Sequence, residues 1–217
     1  MKPQYLIYRT NQPIQSDEVL RELHTAPKAL INQYPWLTNM LDYQPEANAA
    51  MLHDDGGIHV LLSAAEPSQL VTTVYTKDHD PVFQDSCLEF FVRPDPLKQD
   101  YYNLEWNANG CLLVGYGPDK WNRTQVDPSK YESFYRRAYI RRRGVNTFWS
   151  VYCYVPFHAV GASDYSLRQG WSGNFYKCGD HTPHPHYGCW SRVNSDNPDF
   201  HLPDQFGLFE FVDEYTQ

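Results

Sequence analysis

Two glutamates hold the most chemistry in this chain. Glu89 lies in Ser86-Cys87-Leu88-Glu89-Phe90-Phe91-Val92, and Glu105 in Tyr101-Tyr102-Asn103-Leu104-Glu105-Trp106-Asn107, two consecutive stretches of β-forming residues. If these stretches pair as antiparallel strands, the two carboxyl groups face each other across the ladder. Facing carboxylates are costly unless one is protonated, ligated or hydrogen-bonded. A glycosidase needs two carboxyl groups ~5–9.5 Å apart, so Glu89 and Glu105 are the pair a hydrolase would use. Asp85 shares a strand face with Glu89, but four residues at ~3.3 Å rise put them about 13 Å apart, which excludes them as that pair.

Other reactive side chains are less organised. The tract His181-Thr182-Pro183-His184-Pro185-His186 resembles metal-binding histidine runs. Its prolines hold the backbone extended, however, so alternate rings point apart, and the tract reads as a loop whose histidines bond locally. Cys87, Cys111, Cys153, Cys178 and Cys189 are odd in number and widely spaced, without a C-x-x-C pair. They read as buried free thiols of a reducing compartment rather than a disulfide framework or zinc site. Asp54-Asp55 and Asp78-His79-Asp80 are hard-oxygen clusters on turns, of the kind that suits Ca2+, although solvated turn acids are the plainer reading. No metal ligand is assigned, and calcium is the one cofactor these acids admit. No G-x-S-x-G, H-E-x-x-H, P-loop or G-x-G-x-x-G is present.

Binding chemistry is better supplied. Sugar rings offer apolar faces to aromatic side chains and hydroxyls to carboxylates and amides. Of the six tryptophans, Trp121 alone sits in a plainly polar loop, Gly117-Pro118-Asp119-Lys120-Trp121-Asn122-Arg123. Phe200 and His201 occupy a similar proline-bracketed loop, Asn197 to Pro203.

The elements that must carry these residues are mostly strands. Period-2 alternation predicts strands over 47–53, 58–64, 70–76, 86–92, 101–107, 111–116, 134–142, 147–155, 168–176, 186–193 and 206–212. Asp54-Asp55-Gly56-Gly57 and Ala108-Asn109-Gly110 are their tightest turns. Helix signals are confined to residues 16–24, capped by Ser16, to a second helix opening at Pro27 and reaching Tyr34, and to one turn near Pro156 to Val160. The arginines at 136, 137, 141, 142 and 143 alternate faces and read as a charged strand edge. The expectation is an all-β protein, a β-sandwich or jelly roll of two antiparallel sheets with a short N-terminal helical appendage. It forms one domain over 1–217, with an extension at 1–44 and a core at 45–212.

Composition agrees. With 217 residues, 16% aromatic and 20% charged, the chain is long and apolar enough for its own core. A net charge of −8 argues against nucleic acid as a partner, and a mean hydropathy of −0.63 argues against a membrane-spanning segment. The N-terminus shows no signal-peptide pattern, so a cytoplasmic location is expected.

Several segments resemble family 9 carbohydrate-binding modules and their DOMON-like relatives. They are Gln84 to Val92, Tyr102 to Gly110, Trp149 to Phe157, and the run Asn174-Phe175-Tyr176-Lys177-Cys178-Gly179-Asp180 with Pro198-Asp199-Phe200-His201-x-Pro203. The last run is similar to a stand-alone branch of that family. The resemblance implies a two-sheet sandwich that binds ends of xylan- or cellulose-type saccharides without cleaving them, in carbohydrate catabolism, with structural calcium in typical members. It implies Glu89 as acceptor for sugar hydroxyls, Asn107 as its partner, Phe200 as one aromatic wall and Asn197 as an amide contact. Val82 stands where the second aromatic wall is expected, and Glu105 where typical members carry arginine. Phe83 or Trp121 is then the replacement ring. Three functions follow: a saccharide-binding sandwich using Glu89, Glu105, Asn107, Trp121, Asn197, Phe200 and His201; a glycoside hydrolase using Glu89 and Glu105; or an interaction module without a sugar site.

Overall fold

The computed structural model describes residues 2–37 and 42–213. The elements in chain order are β1 (Gln4–Arg9), α1 (Asp17–Thr25), β2 (Ala29–Leu30), β3 (Glu46–His53), β4 (Gly57–Pro67), β5 (Cys87–Arg93), β6 (Tyr101–Asn107), β7 (Leu112–Gly117), β8 (Thr124–Gln125), β9 (Arg136–Arg143), β10 (Asn146–Pro156), α2 (Asp164–Gln169), β11 (Trp171–Cys178), β12 (Tyr187–Cys189) and β13 (Gly207–Val212). The strands form one continuous ladder in the order β8-β7-β6-β5-β11-β13-β1-β3-β4-β10-β9, with β2 on β3 and β12 on β11. The protein is thus mostly β.

This ladder is curled, because alternation gives each strand one apolar face and these faces must meet. Ile58, Val60 and Leu62 of β4, Leu88, Phe90 and Val92 of β5, and Leu104 and Trp106 of β6 all join one buried cluster. Burying each such side chain stabilises the fold by roughly 1.5–3 kcal/mol. The opposite face of β3, β4 and β10 is covered by α1, whose Val19 and Leu23 pack on Leu52, Leu61 and Tyr152. Ser16 caps α1 by accepting a hydrogen bond from the Val19 amide at 3.1 Å. The opposite face of β5, β6 and β11 is covered by loops, and there the polar residues gather.

The N-terminal stretch departs from expectation. It begins with a strand, β1, that lies inside the ladder and runs parallel to both β13 and β3, so the strands are not all antiparallel. Tyr5 and Ile7 point into the core while Gln4 and Leu6 point out, a period-2 pattern too short to stand out in sequence. Pro27 opens no helix. Ala29 and Ile31 alternate into the core instead, and β2 pairs with β3. Residues 38–41 of this stretch lie outside the described residues.

Two other expectations change. Residues 70–76 form no strand, because Asp85 takes their amides: its carboxylate accepts from Val74 and Tyr75, both at 2.9 Å. Residues 168–170 end α2, where Gly170 adopts φ +76°, and the strand starts only at Trp171. The arginine-rich β9 is the terminal strand of the ladder, in keeping with a charged edge.

Candidate functional site

Alternation puts Cys87, Glu89 and Phe91 of β5 on the face turned away from the main core, beside Tyr101, Asn103, Glu105 and Asn107 of β6 and Tyr176 and Cys178 of β11. Register does the rest. Glu89 is the direct cross-strand partner of Glu105 on one side and of Tyr176 on the other, and Cys87 is the partner of Cys178. The two glutamates therefore form a carboxyl pair on one floor, the arrangement that antiparallel pairing of their two stretches makes possible.

Above this floor is a cavity of about 210 Å3. Its floor is Glu89, Glu105 and Cys178; Lys120 and Arg123 reach in from the loop after β7; Asp180 and Tyr187 flank the far side; and Phe83, Phe200 and His201 supply rings. Drug-sized ligands occupy pockets of ~300–1,000 Å3, so this chamber suits a single small ring.

Both carboxyls are almost wholly buried, at 3% exposure for Glu89 and 2% for Glu105. Burial pushes both well above the usual carboxylate range, and for Glu89 the neighbouring Glu105 adds to the rise. Glu89 Oε1 accepts from the Cys178 thiol at 3.0 Å. Glu105 Oε1 accepts from Asn103 Nδ2 at 2.7 Å and lies 3.8 Å from Arg123 Nη1. Its other oxygen, Oε2, is buried with no hydrogen-bond partner. An unpaired buried acceptor costs about 1–3 kcal/mol, and a donor entering the cavity would recover that energy.

The rim is fixed by a relay. Arg123 Nη1 donates to His201 Nε2 at 3.0 Å, and His201 Nδ1 meets the Tyr101 hydroxyl at 2.7 Å. Burial and the adjacent Arg123 push His201 down to about 3, so the ring is neutral and holds the guanidinium as an acceptor. Phe200 stacks on Tyr176 with centroids 4.0 Å apart and planes at 12°, which sets its ring as a cavity wall.

Three residues expected at the site do not meet there. Trp121 is 84% exposed and contributes nothing to the cavity wall, although its loop neighbours Lys120 and Arg123 do. An Asx-type turn causes this: Asp119 accepts from the Trp121 and Asn122 amides and turns the indole outward. Asn107 is fully buried, and its amide is spent on Tyr75 O at 2.8 Å and Asp85 Oδ2 at 3.0 Å. It holds the 72–76 segment in place. Asn197 lines a neighbouring groove with Trp36 and Tyr43. Of the two candidate replacement rings, Phe83 lines the cavity. Lys120, Arg123, Cys178, Asp180, Tyr187 and Asp199 were not assigned to the site from sequence, although all but Tyr187 lie within the segments quoted above and Tyr187 directly follows the histidine tract.

The turn acids have protein partners. Asp54 accepts from the Gly56 and Gly57 amides and from Tyr154, and Asp78 accepts from the Leu112 amide and pairs with Arg136. The histidine tract bonds locally: His186 lies 2.8 Å from His184 O and 2.7 Å from Lys177 Nζ. All five cysteines are free thiols. Among the described residues, no helix is long and apolar enough to cross a membrane.

A one-ring chamber floored by paired carboxyls and walled by aromatics, on a curled antiparallel-rich ladder, defines a small-ligand-binding β protein. The chain belongs to carbohydrate-binding family 9, whose sequence model matches residues 15–211; its members are non-catalytic binding modules. A crystal structure from Bacteroides uniformis, provisionally described as a carbohydrate-binding protein, is similar with a TM-score of 0.83 and 26% identity over 98% of this chain and 100% of that one. A family 9 module from Caldicellulosiruptor kristjanssonii, solved with cellotriose and with glucose, shares the fold at a TM-score of 0.65 and 12% identity. The cellotriose complex covers 98% of this chain and 95% of that one, and the glucose complex 99% and 98%. No curated protein matches the chain in sequence.

Proposed function

We propose that this protein binds a mono- or oligosaccharide without cleaving it, holding one sugar ring in the cavity over Glu89 and Glu105. The observation that carries this reading is the buried, unpartnered Oε2 of Glu105 beside Glu89 in a chamber of one-ring size. Sugar hydroxyls are the donors such oxygens need, and Phe200 and Phe83 offer apolar faces for the ring's C–H surface. Lys120 and Arg123 supply donors for hydroxyl oxygens. The fold supports the reading too: the curled ladder, whose two halves share one core, is read as a β-sandwich of the DOMON-like kind. Family 9 membership and the relative solved with cellotriose and glucose favour a glucose- or cellulose-type ligand, with xylan-type sugars the next candidates.

Hydrolysis by Glu89 and Glu105 is the weaker reading. A hydrolase places its two carboxyls on either side of the scissile bond, whereas these rise from adjacent strands of one floor and meet a ligand from the same side. Isothermal titration calorimetry against glucose, cellobiose, xylose and xylobiose, with and without calcium, tests the proposal. A dissociation constant between about 1 μM and 1 mM for one of these sugars, lost in Glu89→Gln, is expected. Silence across the panel from a folded protein would refute it.

A further inference from the structure

Cys87 and Cys178 are directly opposed across β5 and β11, and Glu89 lies two residues along β5 on the same face. The consequence is a cluster of three ligating side chains, all buried, whose two sulfurs and nearest carboxylate oxygen lie within 4.8 Å of one another. We propose that Cys87, Glu89 and Cys178 form a site for a thiophilic divalent cation of the zinc class at the floor of the cavity. The inference goes beyond saccharide binding and does not depend on which sugar, if any, the cavity takes.

Three observations separate this cluster from ordinary buried thiols. First, all four buried cysteines reach backbone carbonyls, Cys87 that of Leu88, Cys153 that of Tyr154, Cys178 that of Phe83 and Cys189 that of Gln33. Cys178 alone of them also meets a carboxylate, at 3.0 Å. Second, Glu105 brings a further buried carboxyl oxygen without a hydrogen-bond partner to the same floor. Third, the cluster is reachable: Glu89 and Cys178 form part of the cavity wall, while Cys87 is sealed behind them.

The ligand set selects the ion. Two sulfurs and one oxygen are too soft for Ca2+ or Mg2+, which take all-oxygen shells, and match Zn2+ or Cd2+. Zinc bonds of ~2.3 Å to sulfur and ~2.0–2.2 Å to oxygen put tetrahedral ligand atoms about 3.3–3.8 Å apart, so no pair need close by more than about an ångström from the 4.8 Å limit, while Cys178 Sγ and Glu89 Oε1, now at 3.0 Å, open by about half an ångström. Three protein ligands leave a fourth position on the cavity side, as in open zinc sites. Both thiols, together with any proton that Glu89 carries, give up their protons to solvent when the ion binds.

Titration of the reduced, chelator-stripped full chain with Cd2+, followed by ultraviolet thiolate-to-cadmium charge-transfer absorption, tests this. One Cd2+ per chain, displaced by Zn2+, is expected. Cys87→Ser and Cys178→Ser should each abolish the band, Glu89→Gln should weaken binding about 10–100-fold, and Cys111→Ser should change nothing. Zn2+ should also raise the melting temperature of the unmutated protein by several degrees, a readout independent of whether the variants fold. Absence of both the band and the melting shift overturns the proposal. So does a band that survives Cys87→Ser and Cys178→Ser, which would locate the ion elsewhere, or a Cys87–Cys178 disulfide forming in air in place of ion binding.

Discussion

Beneath the site floor, Lys177 and Glu66 make an ion pair whose removal has a calculable effect. Both side chains have 0% exposure, with Nζ and Oε1 3.3 Å apart. At an effective dielectric of ~20, two charges at that distance attract by about 5 kcal/mol. Each charge has further partners: Glu66 accepts from Trp149 Nε1 at 2.8 Å and Tyr43 at 3.0 Å. Lys177 donates to Cys178 O at 3.0 Å and to His186 Nε2 at 2.7 Å. Lys177→Met keeps the aliphatic stem and strands a buried carboxylate, a loss expected to cost about 3–5 kcal/mol. For a domain of this length that is roughly 6–20 °C in Tm. Glu66→Gln should cost a similar amount by stranding the ammonium. The double variant should cost clearly less than the sum, because replacing a whole buried pair is close to neutral. Urea denaturation followed by tryptophan fluorescence measures all three. A Lys177→Met cost below about 1 kcal/mol, or single costs that simply add, would refute the reasoning, since both charges would then be solvated in the native protein.

Two further predictions concern the rim and the buried His186. Arg123→Met should weaken saccharide binding by about 10–150-fold, the worth of a charge-assisted hydrogen bond, whereas Trp121→Ala should leave it within about twofold; calorimetry giving the reverse order would return Trp121 to the site. Burial and the neighbouring Lys177 push His186 down to about 3, so between about pH 6.5 and 3 the unfolded chain binds a proton that the native ring refuses, and stability falls as pH falls through that window. The slope is about 1.4 kcal/mol per pH unit. Denaturation midpoints of His186→Gln across that range should lose this slope relative to the unmodified chain, and an unchanged slope would mean the native ring is solvated.

Strands such as β5, β6 and β10 were legible because they repeat every two residues over seven or more positions, and because Gly110, at φ +82°, closes the β6–β7 turn as its chemistry indicates. β1 was not, since one strand of six residues before a helix offers too few alternations, and its parallel pairing joins segments about 200 residues apart. The 70–76 segment misled for a different reason. It has a strand's composition, but its amides are bound by a side chain, Asp85, rather than by a neighbouring strand.

Sequence alone indicated that Glu89 and Glu105 lie on consecutive strands and could face each other, while the register of β5 against β6 decided that they do; Phe200 and His201 were indicated by their polar loop and by the family resemblance. Sequence could not tell that Asn107 spends its amide on Tyr75 and Asp85, or that Asp119 turns Trp121 outward, since both depend on which backbone groups lie nearby after folding. The approach of Cys87 to Cys178 is the extreme case. No local spacing relates the two, and only the register of β5 against β11 brings their sulfurs to Glu89. Local hydrogen-bonding and hydrophobic periodicity act over a few residues and are written in the chain. The meeting of polar groups on one buried floor is set by long-range pairing, which tertiary structure alone decides.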